Sequence, residues 1–207
     1  MINKKKRVDL LFKARFNIKT PINYLPYSEV DPKIQDRFQK YYKRRLSSIN
    51  PDISKYRKAK FDSFLRELAK DGGDEKYCKR VAIKYISKKV GYGVFAKEDI
   101  APYSTLHHYT GLLVHDDDLD SDHDSTFSFS GINSYSLDAL NRGNWTRFMN
   151  HSDLGTPTNN VVAWEYYTKQ MPYIIFTSGP RGIKKGDQLL YSYGDEYWEE
   201  KQTQVDL

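Results

Sequence analysis

Arg147-Phe148-Met149-Asn150-His151-Ser152 and, about forty residues later, Leu189-Leu190-Tyr191-Ser192-Tyr193-Gly194-Asp195 are the segments whose joint reading decides the fold. Taken singly, Asn-His-Ser is an ordinary polar loop, and Tyr-x-Tyr-Gly is a half-buried strand leaving through a glycine turn. Their order is informative. Upstream of them stand, in order, Gly91-Tyr92-Gly93-Val94-Phe95-Ala96, Tyr109-Thr110-Gly111, Leu137-Asp138-Ala139 and Gly143-Asn144.

Working outward, residues 81–207 read as many short strands broken by glycine, proline and acidic turns. The runs are 81–86, 92–95, 104–113, 127–130, 135–137, 160–167, 173–177 and 188–193. With few helices among them, this pattern predicts an α+β chain with several small antiparallel sheets. Residues 1–79 differ in texture. Asp31-Pro32 marks the start of a helix to Leu46, because Asp caps a helix and proline is harmless at its first position. Asn50-Pro51 repeats the signal for a second helix to about Lys70, which Asp71-Gly72-Gly73 stops. Ile53, Tyr56, Phe61, Phe64, Leu65 and Leu68 give that helix an apolar face. The two are expected to pair antiparallel across the turn at Ser47–Pro51. The reading divides the chain into a basic helical region (1–79), a β-rich domain (80–194) and a short tail (195–207).

Charge follows the same division. Residues 1–80 hold 22 Lys/Arg against 10 Asp/Glu, a net +12, while residues 81–207 carry a net −6. The basic part reads either as a contact for nucleic acid or an acidic partner, or as a solvated helical face. The single cysteine, Cys78, excludes an internal disulfide and a cysteine-cluster zinc site. No apolar run approaches the roughly 18 residues of a membrane span. The basic start at Lys4-Lys5-Lys6-Arg7 is followed by a stretch too short, and interrupted by Asp9, for a secretory signal. A cytoplasmic or nuclear chain is the expectation. The acidic run Asp116–Asp124 alternates like a calcium loop, but His123 stands where that loop needs glycine and Phe129 where it needs glutamate.

The ordered blocks resemble those of SET-domain protein lysine methyltransferases over about Val81 to Trp198. The resemblance is strongest to compact bacterial SET proteins of the chlamydial type, which also share the basic start, Gly-Asn-x-Thr-Arg-Phe-x-Asn-His-Ser-Asp and a final Tyr-Trp. It implies a β-rich SET domain, S-adenosylmethionine as methyl donor with S-adenosylhomocysteine as product, and no metal. The implied substrate is a lysine of a histone, a histone-like protein or another basic protein. For a bacterial effector it further implies secretion into a host cell, where Lys4-Lys5-Lys6-Arg7 would direct nuclear import.

Site residues follow by the same resemblance. The backbone around Tyr92, Gly93 and Val94, together with Asn150 and His151, is implied to hold the cofactor; glycine there allows close backbone approach. Arg147 belongs to that set, although tying neighbouring loops is its more natural task. Phe127 would face the cofactor and Trp198 would cap its adenine. Tyr193 matches the active-site tyrosine. With an ordinary pKa near 10 it is a poor base at neutral pH, so its role is positioning. Tyr191 sits at the position that limits product size, and tyrosine there favours mono- or dimethylation. Tyr109 would wall the lysine channel and Tyr135 the peptide groove; for Tyr109, Phe127 and Tyr135 an ordinary core role is the competing reading. The rival function is an inactive SET-fold adaptor that binds chromatin or nucleic acid through residues 1–80.

Overall fold

A computed structural model describes residues 9–49, 53–119, 125–194 and 197. Lys4–Arg7, the Asn50-Pro51 start signal, the second half of the acidic run and Trp198 lie outside the described residues.

The helices are α1 (Leu10–Phe16), α2 (Gln35–Leu46), α3 (Lys55–Leu68) and α4 (Glu75–Lys79). The strands are β1 (Asn23–Tyr24), β2 (Glu29–Val30), β3 (Val81–Ser87), β4 (Gly91–Ala96), β5 (Thr105–His108), β6 (Leu112–His115) and β7 (Thr126–Phe129). They continue with β8 (Ile132–Asp138), β9 (Arg142–Gly143), β10 (Asn150–His151), β11 (Val161–Tyr167), β12 (Pro172–Ser178) and β13 (Leu190–Tyr191). Among the described residues no helix is long and apolar enough to cross a membrane.

The small-sheet architecture expected from the sequence is present. β3 and β4 form a hairpin, β11-β12-β5 a three-stranded sheet, and β2-β6-β8-β7 a four-stranded one. These pairings are antiparallel apart from β2 with β6, and β1–β9 and β10–β13 are parallel as well. Parallel neighbours need long connections, and each of these pairs joins strands far apart in the chain. The expected strand over 104–113 is two strands in different sheets. The chain turns at Tyr109-Thr110-Gly111, where a Cβ on Gly111 would lie 2.5 Å from the Asp138 carbonyl oxygen.

The N-terminal region is not the separate appendage its composition suggests. β1 pairs with β9 and β2 with β6, while Phe12, Tyr24, Phe38 and Tyr42 bury themselves in one core with Leu137, Trp145 and Phe148. The boundary at residue 79/80 therefore separates two compositions but not two folding units. α1 was not marked by the helix signals; Asp9 caps it, accepting from the Phe12 N–H at 2.9 Å, and Phe12 and Phe16 supply its buried face. At Asp31 the side chain accepts from the Lys33 N–H at 2.8 Å in a turn that sends Ile34 inward, so α2 begins only at Gln35. Ser54 caps α3. α2 and α3 do not form the expected antiparallel pair, since their apolar faces enter different clusters. Phe38 and Tyr42 join the main core, whereas Phe61, Phe64 and Leu68 pack with Tyr77, Tyr166 and Ile175.

Candidate active site

The two decisive segments meet through β10 and β13. Asn150 pairs with Leu190 and His151 with Tyr191, and the Ser152 N–H donates to the Tyr191 carbonyl at 3.0 Å. The lead-in is rigid. Asn144, fully buried, caps the short 3-10 turn Trp145–Phe148 by accepting from the Thr146 N–H at 2.9 Å, and its amide donates to the His108 carbonyl at 2.9 Å. A satisfied buried amide of this kind fixes backbone direction, because breaking its bonds would strand polar atoms in the interior.

On one side of this bridge lie the residues implied to hold the methyl donor. The Asn150 side-chain amide donates to the Tyr92 carbonyl at 3.1 Å, tying β4 to β10. A Cβ on Gly93 would meet the ends of the Gln188 and Ile86 side chains at 2.6 Å and the Asn150 amide at 3.1 Å, so a side chain there would have to push these three aside. Gly91, at φ 75°, faces open space. Val94 is different: its side chain is fully buried and its carbonyl accepts from the Leu189 N–H at 2.8 Å, so it supports the site from within the sheet. The His151 ring bridges two partners. Nδ1 accepts from the Tyr193 backbone N–H at 3.2 Å, which leaves the proton on Nε2, 2.9 Å from Asp153 Oδ1. A glycine-bearing strand start, a carboxamide and an anchored histidine fit a ligand bearing an amino acid group and a nucleoside.

On the other side is a cavity of about 350 Å³, walled by Tyr109, Phe127, Tyr191 and Tyr193. Each aromatic is held by named contacts. The Tyr193 hydroxyl donates to the Met149 carbonyl at 2.9 Å, and the Tyr109 hydroxyl to the Ser125 carbonyl at 2.8 Å. Phe127 stacks on Tyr191 at 6.2 Å and 12°, and Tyr191 lies 4.9 Å from Tyr193. Burial pushes the Tyr109 and Tyr191 hydroxyls above the usual tyrosine range, with neighbouring tyrosines adding to the effect. Both therefore stay protonated at neutral pH and act as hydrogen-bond donors, not bases.

Arg147 points into the interior on the cavity side. Its Nε donates to the Ala139 carbonyl and a terminal nitrogen to Ser125 Oγ, both at 2.8 Å. It thus ties the β7 lead-in to the Leu137–Ala139 block. Tyr135, expected to wall the peptide groove, is buried in the core instead. Its side chain is 3% exposed, packed against Phe38, Tyr41 and His115 on the face of β8 that α2 covers. Glu165 escaped the sequence reading because it sits mid-strand in β11 with no motif around it. In the fold it reaches the cavity rim, accepting from the Ser130 N–H at 2.7 Å and Ser130 Oγ at 2.8 Å. Tyr197, whose ring lies 4.9 Å from that of Tyr193, also lines the cavity. Among the described residues no group of three or more His, Cys, Asp or Glu is arranged to hold a metal ion.

The chain belongs to the SET-domain family, whose model matches residues 91–194, half of the sequence. Human histone-lysine N-methyltransferase EHMT1 is 31% identical over 121 residues, 56% of this chain and 9% of that protein. The Chaetomium thermophilum histone-lysine N-methyltransferase EZH2 is 32% identical over 120 residues, 52% of this chain and 8% of its own. The chain thus spans less than a tenth of the length of these relatives. The crystal structure of ATXR5 in complex with a mono-methylated histone H3.1 shares the fold with a TM-score of 0.65 at 17% identity, covering 90% of this chain and 84% of the other.

Proposed function

We propose that this protein is an S-adenosylmethionine-dependent protein lysine N-methyltransferase acting on a histone or another basic protein tail. One observation carries the reading: the parallel β10–β13 bridge joins Tyr191, a wall of the tyrosine cavity, to His151 and its neighbour Asn150, whose amide reaches the Tyr92 carbonyl of β4. Tyr92, Gly93, Asn150 and His151 are the residues that would hold that group, which supplies an electrophilic methyl when bound. The relatives named for histone-lysine methylation support the choice of substrate class.

The chain's own contribution is positional. The cavity admits a long, narrow aliphatic side chain between aromatic rings and keeps water away from it, which disfavours the charged form of a lysine amine. Glu165 is held at the rim by Ser130, and the amine's proton leaves to water. Tyr193, anchored through its hydroxyl to Met149 and through its N–H to His151, fixes the end of the cavity. Orientation of this kind is worth roughly 7–11 kcal/mol in well-aligned reactions. β7 is an edge strand beside the cavity, so an extended substrate segment can add to it by main-chain hydrogen bonds. Tyr191 occupies the space next to the amine and limits the product to mono- or dimethyllysine.

Incubation with labelled S-adenosylmethionine and mixed histones or bacterial basic proteins tests the proposal. Label on lysine is expected, and its absence from every basic protein offered, with the cofactor shown to bind, would favour the adaptor reading instead.

A further inference from the structure

A second hollow, of about 500 Å³, lies between the start of α3 and the turn Ala101–Ser104, and shares no lining residue with the tyrosine cavity. Tyr56 and Tyr103 stand at its edges with 79% and 58% of their surface exposed, among the most solvated large side chains of the molecule. Soluble proteins normally bury tyrosine rings or pack them down, so two at one hollow mark a surface with a use. Arg57 and Lys60 line the same hollow, and among the described residues no carboxylate does. The positive end of the α3 dipole adds to that bias.

Tyr103 is also held in an unfavourable backbone conformation, at φ 56°. A bulky residue adopts this region only when its surroundings force it. The force here is visible. Ser178 grips the turn from both ends, its hydroxyl donating to the Ala101 carbonyl at 2.7 Å while accepting from the Ser104 N–H at 2.9 Å. Lys60 donates to the Tyr103 carbonyl. The turn is therefore built to present an aromatic ring outward beside a cation. Arg57 stays planar and oriented, its guanidinium 3.8 Å over the Trp164 ring.

We propose that this hollow binds single-stranded nucleic acid, with Tyr56 and Tyr103 stacking on unpaired bases and Arg57 and Lys60 meeting the adjoining phosphates. Exposed rings flanked by cations match what an unpaired strand offers: π-faces on one side and a regular negative backbone on the other. A cationic peptide would be repelled, and an acidic peptide would leave the two rings without partners. Duplex bases are stacked already and cannot reach the rings.

The test is fluorescence anisotropy on the full chain with a labelled RNA of about 12 nucleotides, the matching single-stranded DNA and the matching duplex. Binding to one or both single strands, weakened by salt, is expected, with the duplex at least about tenfold weaker. Tyr56→Ala and Tyr103→Gly should each weaken single-strand binding about tenfold. The glycine variant relieves the strained φ, so it keeps the turn folded, and a thermal melt verifies this for each variant. Equal affinity for duplex, no binding to either single strand at low salt, or binding untouched by both tyrosine variants would each overturn the proposal. Loss of binding only when Lys4–Arg7 are neutralised would do so too. Comparing the RNA and DNA arms identifies the strand type.

Discussion

The tyrosine cavity and the layer beneath α3 and α4 use the same side-chain types under opposite rules. In the cavity the polar groups that matter are partnered: Tyr193 and Tyr109 reach backbone carbonyls, and both His151 nitrogens have neighbours. In the layer, His107 and His108 stack fully buried at 5.1 Å, enclosed by Phe64, Tyr77, Trp145 and Tyr173. There His107 Nε2, both ring nitrogens of His108 and Trp145 Nε1 have no protein partner. Charged neighbours stand at its margin, where Asp74 accepts from Arg15 at 2.5 Å and from the Tyr24 hydroxyl at 2.9 Å, close to Cys78, and Glu67 accepts from the Tyr77 hydroxyl at 2.9 Å. Hydrogen bonds aim a side chain, whereas burial alone fixes only its protonation state. The cavity is thus organised for geometry and the layer for cohesion between the helices and the sheets.

The contrast makes separable predictions. Asp74→Ala should have the largest effect, on stability alone, costing about 3 kcal/mol because it strands Arg15 and the Tyr24 hydroxyl. Denaturant unfolding would measure it, and cofactor affinity of the folded fraction should be unchanged. Tyr193→Phe should do the reverse, lowering the rate of methyl transfer about 100-fold with a melting temperature within a few degrees of the parent. Full activity in that variant would remove the positioning role.

Acid should discriminate next. Burial lowers the His107 pKa from 6.5 to about 4, and that of His108 well below 6.5. Between these limits the unfolded chain binds protons that the native state refuses, so stability rises with pH across the window and is lost on acidification from about 6.5. For His107 alone the loss is about 2 kcal/mol by pH 5. His107→Gln should flatten that dependence in a melt series from pH 7 to 5. The smallest effect is expected from Tyr191→Phe, which removes one hydroxyl from a stacked ring. Mass spectrometry should show the product distribution moving toward higher methylation states with little change in stability, and an unchanged distribution would show that another wall sets product size.

Legibility in the sequence followed the range of the interaction. β3, β4, β11, β12 and the two motif blocks could be read because strand alternation and glycine turns are local. α4 could not, since five residues show no helical period, and α1 was obscured by the lysines before it. Tyr135 misled because an aromatic beside a motif says nothing about which face of β8 it takes; pairing of β8 between β6 and β7 turns it toward α2.

The sequence by itself determined the family and the β-rich class, and it marked Asn150, His151, Tyr191 and Tyr193 as candidates, because such blocks are carried by residue type in fixed local order. Only the tertiary structure decided that residues 9–49 share the SET core, that Glu165 reaches the cavity rim, and that two strained or exposed tyrosines meet beside Arg57 and Lys60. Those are pairings between residues tens of positions apart, and they depend on which surfaces the chain can bury against one another, a quantity no short stretch of sequence contains.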